Sequence, residues 1–86
     1  MARYFFDIDD GEARTVDQDG TELPDAGAAR AAALAVLPSI AQDTDISENG
    51  REITATIRDG TGQAIFRARL SVRGEWIGGR EGGNAE

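Results

Sequence analysis

The chain has no cysteine, no histidine and no lysine. Without cysteine and histidine there is no disulfide, no thiol nucleophile, no Ser-His-Asp triad and no zinc or copper site of the usual kind. Aromatic residues make up 6% of the sequence, and there are one Met and two Pro. No apolar run approaches the roughly 20 residues that cross a bilayer. The start Met1-Ala2-Arg3-Tyr4-Phe5-Phe6 is too short in apolar residues for a secretory signal. These features lead to the expectation of a cytoplasmic chain with no membrane contact.

What is present reads as one small globular domain. The 86 residues are 40% hydrophobic and 29% charged, with 16 acidic residues against nine Arg and a net charge of -7. That balance argues against binding a phosphate backbone as the main task. The basic set is all Arg and alanine is abundant, as in GC-rich bacterial genomes. A chain of this size buries only about 60% of its unfolded surface, so a partner would help to complete it.

Residues 3–8 read as a strand, with Tyr4, Phe6 and Ile8 on one face and Arg3, Phe5 and Asp7 on the other. The Asp10-Gly11 turn predicts a hairpin to a short strand over Ala13–Val16. Residues 17–22 read as a second turn. Pro24 and the capping Asp25 open an Ala-rich helix from Ala26, with Ala29, Ala33, Val36, Leu37 and Ile40 as its buried face. Pro38 predicts an end near Leu37, or a kink there with one further turn.

Residues 43–50 read as polar and turn-like. The clearest pattern follows. Ile53, Ala55 and Ile57 alternate with polar residues, as do Ala64, Phe66, Ala68, Leu70 and Val72, around the turn Asp59-Gly60-Thr61-Gly62. A two- or four-residue loop places Ala55 opposite Phe66 and Glu52 opposite Arg69, a pair that would anchor the arginine. The expected architecture is therefore α+β: a single domain over residues 1–77, order β-β-α-β-β, with an antiparallel sheet of about four strands and one helix on one face. Residues 78–86 form a flexible glycine-rich tail in this reading.

Three segments carry the resemblance to a known family: Arg3-Tyr4-Phe5-Phe6-Asp7-Ile8 with Asp10-Gly11, then Asp19-Gly20-Thr21-Glu22-Leu23-Pro24-Asp25, then Ala28-Ala29-Arg30 with Ala33-Leu34. Over residues 1–72 the chain resembles small alphaproteobacterial domains of unknown function found in rhizobia and methylobacteria. Two departures are Asp7, where that family often has His, and Pro38, within a helix that is usually continuous. The resemblance implies the β-β-α-β-β fold and brings no activity, cofactor or catalytic residue.

The residues themselves offer few chemistries. Asp7, Asp9, Asp10 and Glu12, with Asp17 and Asp19 across the hairpin, are candidate ligands for a divalent cation, but their spacing does not match an EF-hand and Asp also favours plain turns. Exposed turn carboxylates lack the cleft that general acid–base work needs, so no enzyme activity and no cofactor are expected. Arg58, Arg67, Arg69 and Arg73 share one face of the last hairpin; nucleic acid would be the remote use of that face. Phe5, Ile65 and Trp76 are apolar residues left over once the helix face is buried. With Arg67 and Arg69 they make the candidate interaction surface, for a second copy of the chain or another protein. A non-enzymatic, self-associating interaction module is the first expectation, and cation or small-ligand binding through the acidic hairpin the alternative.

Overall fold

The computed structural model describes residues 1–43 and 50–79. Its elements are β1 (Ala2–Asp9), β2 (Arg14–Thr15), β3 (Thr21–Leu23), α1 (Ala26–Asp43), β4 (Arg51–Arg58) and β5 (Ala64–Val72), followed by a single 3-10 turn over Ile77–Gly79. The strands form one antiparallel sheet in the order β2-β1-β4-β5, and β3 also pairs with β1. One helix lies on one face. The α+β class and the single helix agree with the sequence.

The core is thin. Among the described residues Tyr4, Ala29, Ala33, Leu37, Ile53, Ala55 and Ile57 are buried, and of the larger side chains only Ile53 and Ile57 are fully enclosed. Ala29 and Ala33 have almost no side chain to hold α1 away from the sheet, so the helix axis lies close over β4. Phe6, Ile8, Phe66, Ala68 and Leu70 pack around this centre half-buried. Asp25 caps the helix: its carboxylate accepts the Ala28 N–H at 2.9 Å.

Several details depart from the sequence reading. Thr21–Leu23, read as turn, forms β3 against Ala2–Tyr4. Gly20 and Pro24 bracket only three residues, too few to show an alternating pattern. The predicted Ala13–Val16 strand shrinks to Arg14–Thr15. The helix continues through Pro38 to Asp43, further than one turn past Leu37. Pro38 and Leu34, whose carbonyl loses its N–H partner, both lie on the exposed side, where water can reach them. On the inner side Leu37, Ile40 and Ala41 pack on the core and hold the extra turns. Val36, expected inside, is 38% exposed, because it sits about 100° around the helix from Leu37 and off the Ala29–Ala33–Leu37 stripe.

The β4–β5 hairpin also corrects its expected register. Ala55 faces Ala68, Ile57 faces Phe66, Glu52 faces Ser71 and Thr54 faces Arg69, so the anticipated Ala55–Phe66 and Glu52–Arg69 pairs do not form. Two insertions explain the slip. The loop holds three residues, with the Asp59 N–H donating to the Gln63 carbonyl at 2.9 Å, the Gly62 N–H donating to the Asp59 carbonyl at 2.9 Å, and Gly62 at φ 90°. Then Ile65 bulges, since Arg58 pairs with Ala64 while Ile57 pairs with Phe66. Each insertion alone would turn the strand over; together they restore the faces and shift the pairing by two. The polar stretch 44–49 and tail residues 80–86 lie outside the described residues.

Pro38 gives the first test. Pro38→Ala is expected to stabilise the domain by about 1–3 kcal/mol, since an exposed helix-interior proline is replaced by the best helix former. Urea denaturation monitored by circular dichroism reads the difference.

Candidate functional site

Alternation along β1 puts Phe5, Asp7 and Asp9 on the sheet face away from α1. Across the sheet the partners on that face follow in rows. Phe5 lies beside Arg58; Asp7 beside Thr56 and Arg67; Asp9 beside Thr54 and Arg69, with Arg14 on its other side. Glu52 and Ser71 form the next row, with the Ser71 hydroxyl 3.4 Å from the Glu52 carboxylate.

One end of this face is closed by polar contacts. The Arg58 guanidinium grips Asp7 side-on, Nε to Oδ2 at 2.8 Å and Nη2 to Oδ1 at 3.1 Å, and Nη2 also donates to the Asp17 carbonyl at 2.9 Å. The Phe5 ring lies 5.0 Å from the guanidinium carbon, a cation–π distance. Asp7 accepts the Asp17 N–H at 3.1 Å, and Asp17 in turn accepts the Phe6 N–H at 3.0 Å. The other Asp17 oxygen accepts the N–H groups of Asp19 and Gly20. Between the stretches of β1 that pair with β2 and β3, the Asp17 carboxylate therefore replaces a strand carbonyl. Gly20, at φ 74°, brings its backbone against Arg3 and Phe5, where a Cβ would meet the Phe5 ring at 2.9 Å.

Asp7 is 6% exposed and is the buried charged residue among those described. Arg58 beside it, with the Asp17 N–H, holds its carboxyl below the ordinary aspartate range, while burial pushes the other way. The N–H groups of Gly20 and Phe6 likewise lower Asp17, and the Asp7 carboxylate raises Arg58. Asp10 is lowered by the N–H groups of Ala13 and Glu12, and Asp59 by the Thr61 hydroxyl that closes the last hairpin loop.

The carboxylates proposed for a cation are thus spread over separate tasks. Asp7 faces Arg58; Asp9 accepts the Gly11 N–H at 2.9 Å; Asp10 accepts the N–H groups of Glu12 and Ala13; Glu12 reaches Arg51 at 3.5 Å. Among the described residues no three acidic side chains group as metal ligands. Phe5 is half-buried under Arg58, Ile65 sits exposed at the bulge, and Trp76 lies beyond β5 at 51% exposure.

Arg67 and Arg69 are brought together with residues that the sequence reading passed over. With Asp9, already a cation candidate, and with Arg14, Glu52, Thr54 and Thr56, they line an open depression of about 280 Å³ on this face. Arg67 donates to the Thr56 hydroxyl at 3.3 Å, while the Arg69 side chain makes no hydrogen bond or ion pair among the described residues. The signal for Thr54, Thr56 and Arg14 lay in strand parity and pairing: once Arg67 and Arg69 are placed outward, their cross-strand neighbours share that face.

The Asp7–Arg58 contact sets an acid limit. Asp7 and Asp17 have folded-state values below the ordinary 3.8, so their stabilisation is complete above that range and is lost as pH falls through the folded values. Thermal melts are expected to hold steady from neutral pH down to the ordinary aspartate range and to fall below it, with a flatter acid limb in Asp7→Asn. Asp7→Ala leaves Arg58 and the Asp17 N–H without their acceptor and should cost about 1–3 kcal/mol at neutral pH.

No curated protein and no solved structure matches the chain. A family model described as a domain of unknown function, DUF6894, matches residues 3–71, close to the extent over which the sequence resembles such a domain. That span runs from Arg3 in β1 to Ser71 in β5 and includes the Asp7–Arg58 contact, the helix and the arginine face. The chain accordingly belongs to the DUF6894 family.

Proposed function

We propose that the domain is a non-enzymatic, cytoplasmic protein-interaction module that associates with itself. The observation that carries this reading is the disproportion between a thin core and the apolar surface left outside it. Three of the seven buried core residues are alanine, while Val16, Leu34, Val36, Ile65 and Trp76 remain exposed. Among the described residues no layer covers one sheet face, and α1 carries a single charge, Arg30, between Ala26 and Gln42. A small domain gains stability by burying such surface against a partner.

The acidic side chains support a structural role rather than a catalytic one. Asp7, Asp10, Asp17 and Asp59 spend their oxygens on backbone N–H groups, on Arg58 and on Thr61. A general acid or base needs a free, convergent carboxyl in a cleft.

Sedimentation equilibrium over a concentration series tests the reading. The expected result is a concentration-dependent dimer, with a melting temperature that rises with protein concentration. A monomer at every concentration, with a constant melting temperature, overturns it.

A further inference from the structure

Resting on that reading, we infer that the partner of the uncovered sheet face is a second copy of this chain, docked face to face about a two-fold axis parallel to the strands along β4, so that Asp9 of each copy meets Arg69 of the other.

In the two middle rows of this face the charges are segregated by strand: Asp7 and Asp9 lie on β1, the neutral Thr54 and Thr56 on β4, and Arg67 and Arg69 on β5, while Arg58 at one end of β4 is turned onto Asp7, Glu52 stands at the other end, and Arg14 of β2 flanks Asp9. A two-fold axis along β4 exchanges the two flanks while keeping each row level. The β1 flank of one copy then lies over the β5 flank of the other, acid over arginine, with threonine over threonine on the axis. A two-fold axis in the same plane but across the strands would set β1 over β1 and Arg69 over Arg69. The charge pattern therefore selects one orientation, as an isologous interface requires. Facing sheets pack about 10 Å apart, a distance that an Arg and an Asp reaching toward each other can span.

The Asp9–Arg69 row carries the direct contact between copies, since Arg67 already donates to Thr56 and lies over the partner's Asp7, which Arg58 holds. Asp7 is enclosed by Arg58, whereas Asp9 is exposed and Arg69 has no ion pair. The same operation carries the segment Val16–Gly20 of one copy, with its exposed Val16, toward the partner's β5 near its exposed Ile65. Glu52 falls on the axis and meets its own image, flanked by Arg69 from both copies.

The alternative use of β5, edge-to-edge pairing with another β5, is opposed by the same arginines. With both helices on one side, antiparallel registers centred on Ala68, Arg69 or Leu70 place Arg67 opposite Arg69, Arg69 opposite itself, or Arg67 opposite Arg73. Like charges directly opposed in a sheet destabilise the pairing, and charged edge residues block it.

Charge reversal with mixing tests this geometry. Full-length Asp9→Arg and Arg69→Asp chains are each expected to lose self-association by about tenfold or more, with circular dichroism melts showing that both remain folded. Mixed in equal amounts, they should form a heterodimer, because both cross-interface contacts then pair Arg with Asp. Rescue by mixing is intermolecular and cannot arise from repair within one chain. The Glu52→Gln chain should dimerise more tightly than the wild type, and added salt should weaken the wild-type dimer. A dimer that survives both reversals, or two monomeric variants that stay monomeric when mixed, overturns this geometry while self-association through another surface stands. A wild-type chain that never dimerises overturns both.

Discussion

A buried carboxylate on β1 needs a cation, and the placement of Arg58 to supply it organises one whole flank of the sheet. Asp7 sits on the face without a helix, yet it is nearly enclosed, because Arg58, Phe5 and the segment carrying Asp17 close around it. Removing one partner of such a pair leaves the other charged and unsatisfied, which is why the contact is costly to break whatever its net value. Through it, β1, β4 and the segment between β2 and β3 are joined by hydrogen bonds rather than by apolar packing. β2 has two residues and β3 has three, so neither would hold to β1 by its own ladder. Asp17 bridges the gap, its carboxylate accepting the Phe6 N–H and its carbonyl accepting from Arg58.

The opposite face follows a different economy of contacts. Small alanines let α1 approach the sheet, which makes the core close-packed but shallow. Leu34 and Val36 are left on the outside of the helix, and among the described residues no element packs over the second sheet face. Strand pairing then sorts the two middle rows of that face by charge: acids on β1, threonines on β4, arginines on β5. Arginines placed along a free strand also discourage that edge from pairing with its own kind. Fold and proposed association thus share one cause, a helix too narrow to cover both sides of a twisted sheet.

Much of the architecture was legible in the residues. The alternation of Ile53, Ala55 and Ile57 with polar neighbours marks a half-buried strand, and Asp25 before an alanine run marks a helix start. Both signals are local, and local signals survive the absence of a partner. What could not be read depends on distance or on small insertions. Asp7 and Arg58 are 51 positions apart, and nothing near either residue announces the other. The hairpin register turned on one extra loop residue and one bulge at Ile65, which leave the hydrophobic pattern unchanged. Thr21–Leu23 is too short to show a period, and Pro38 was overruled by the packing of Leu37, Ile40 and Ala41. In the candidate site, Arg67 and Arg69 could be placed outward from alternation alone, but Thr54, Thr56 and Arg14 needed the pairing.

Amide hydrogen exchange at Phe6 addresses the central claim most directly, since that N–H has a side-chain carboxylate for its acceptor where a strand carbonyl would ordinarily stand. The account predicts that Phe6 is protected in the wild-type chain and loses that protection in Asp17→Ala, while the Ile57 amide in the middle of the sheet keeps its own. Equal protection of Phe6 in both chains would contradict it.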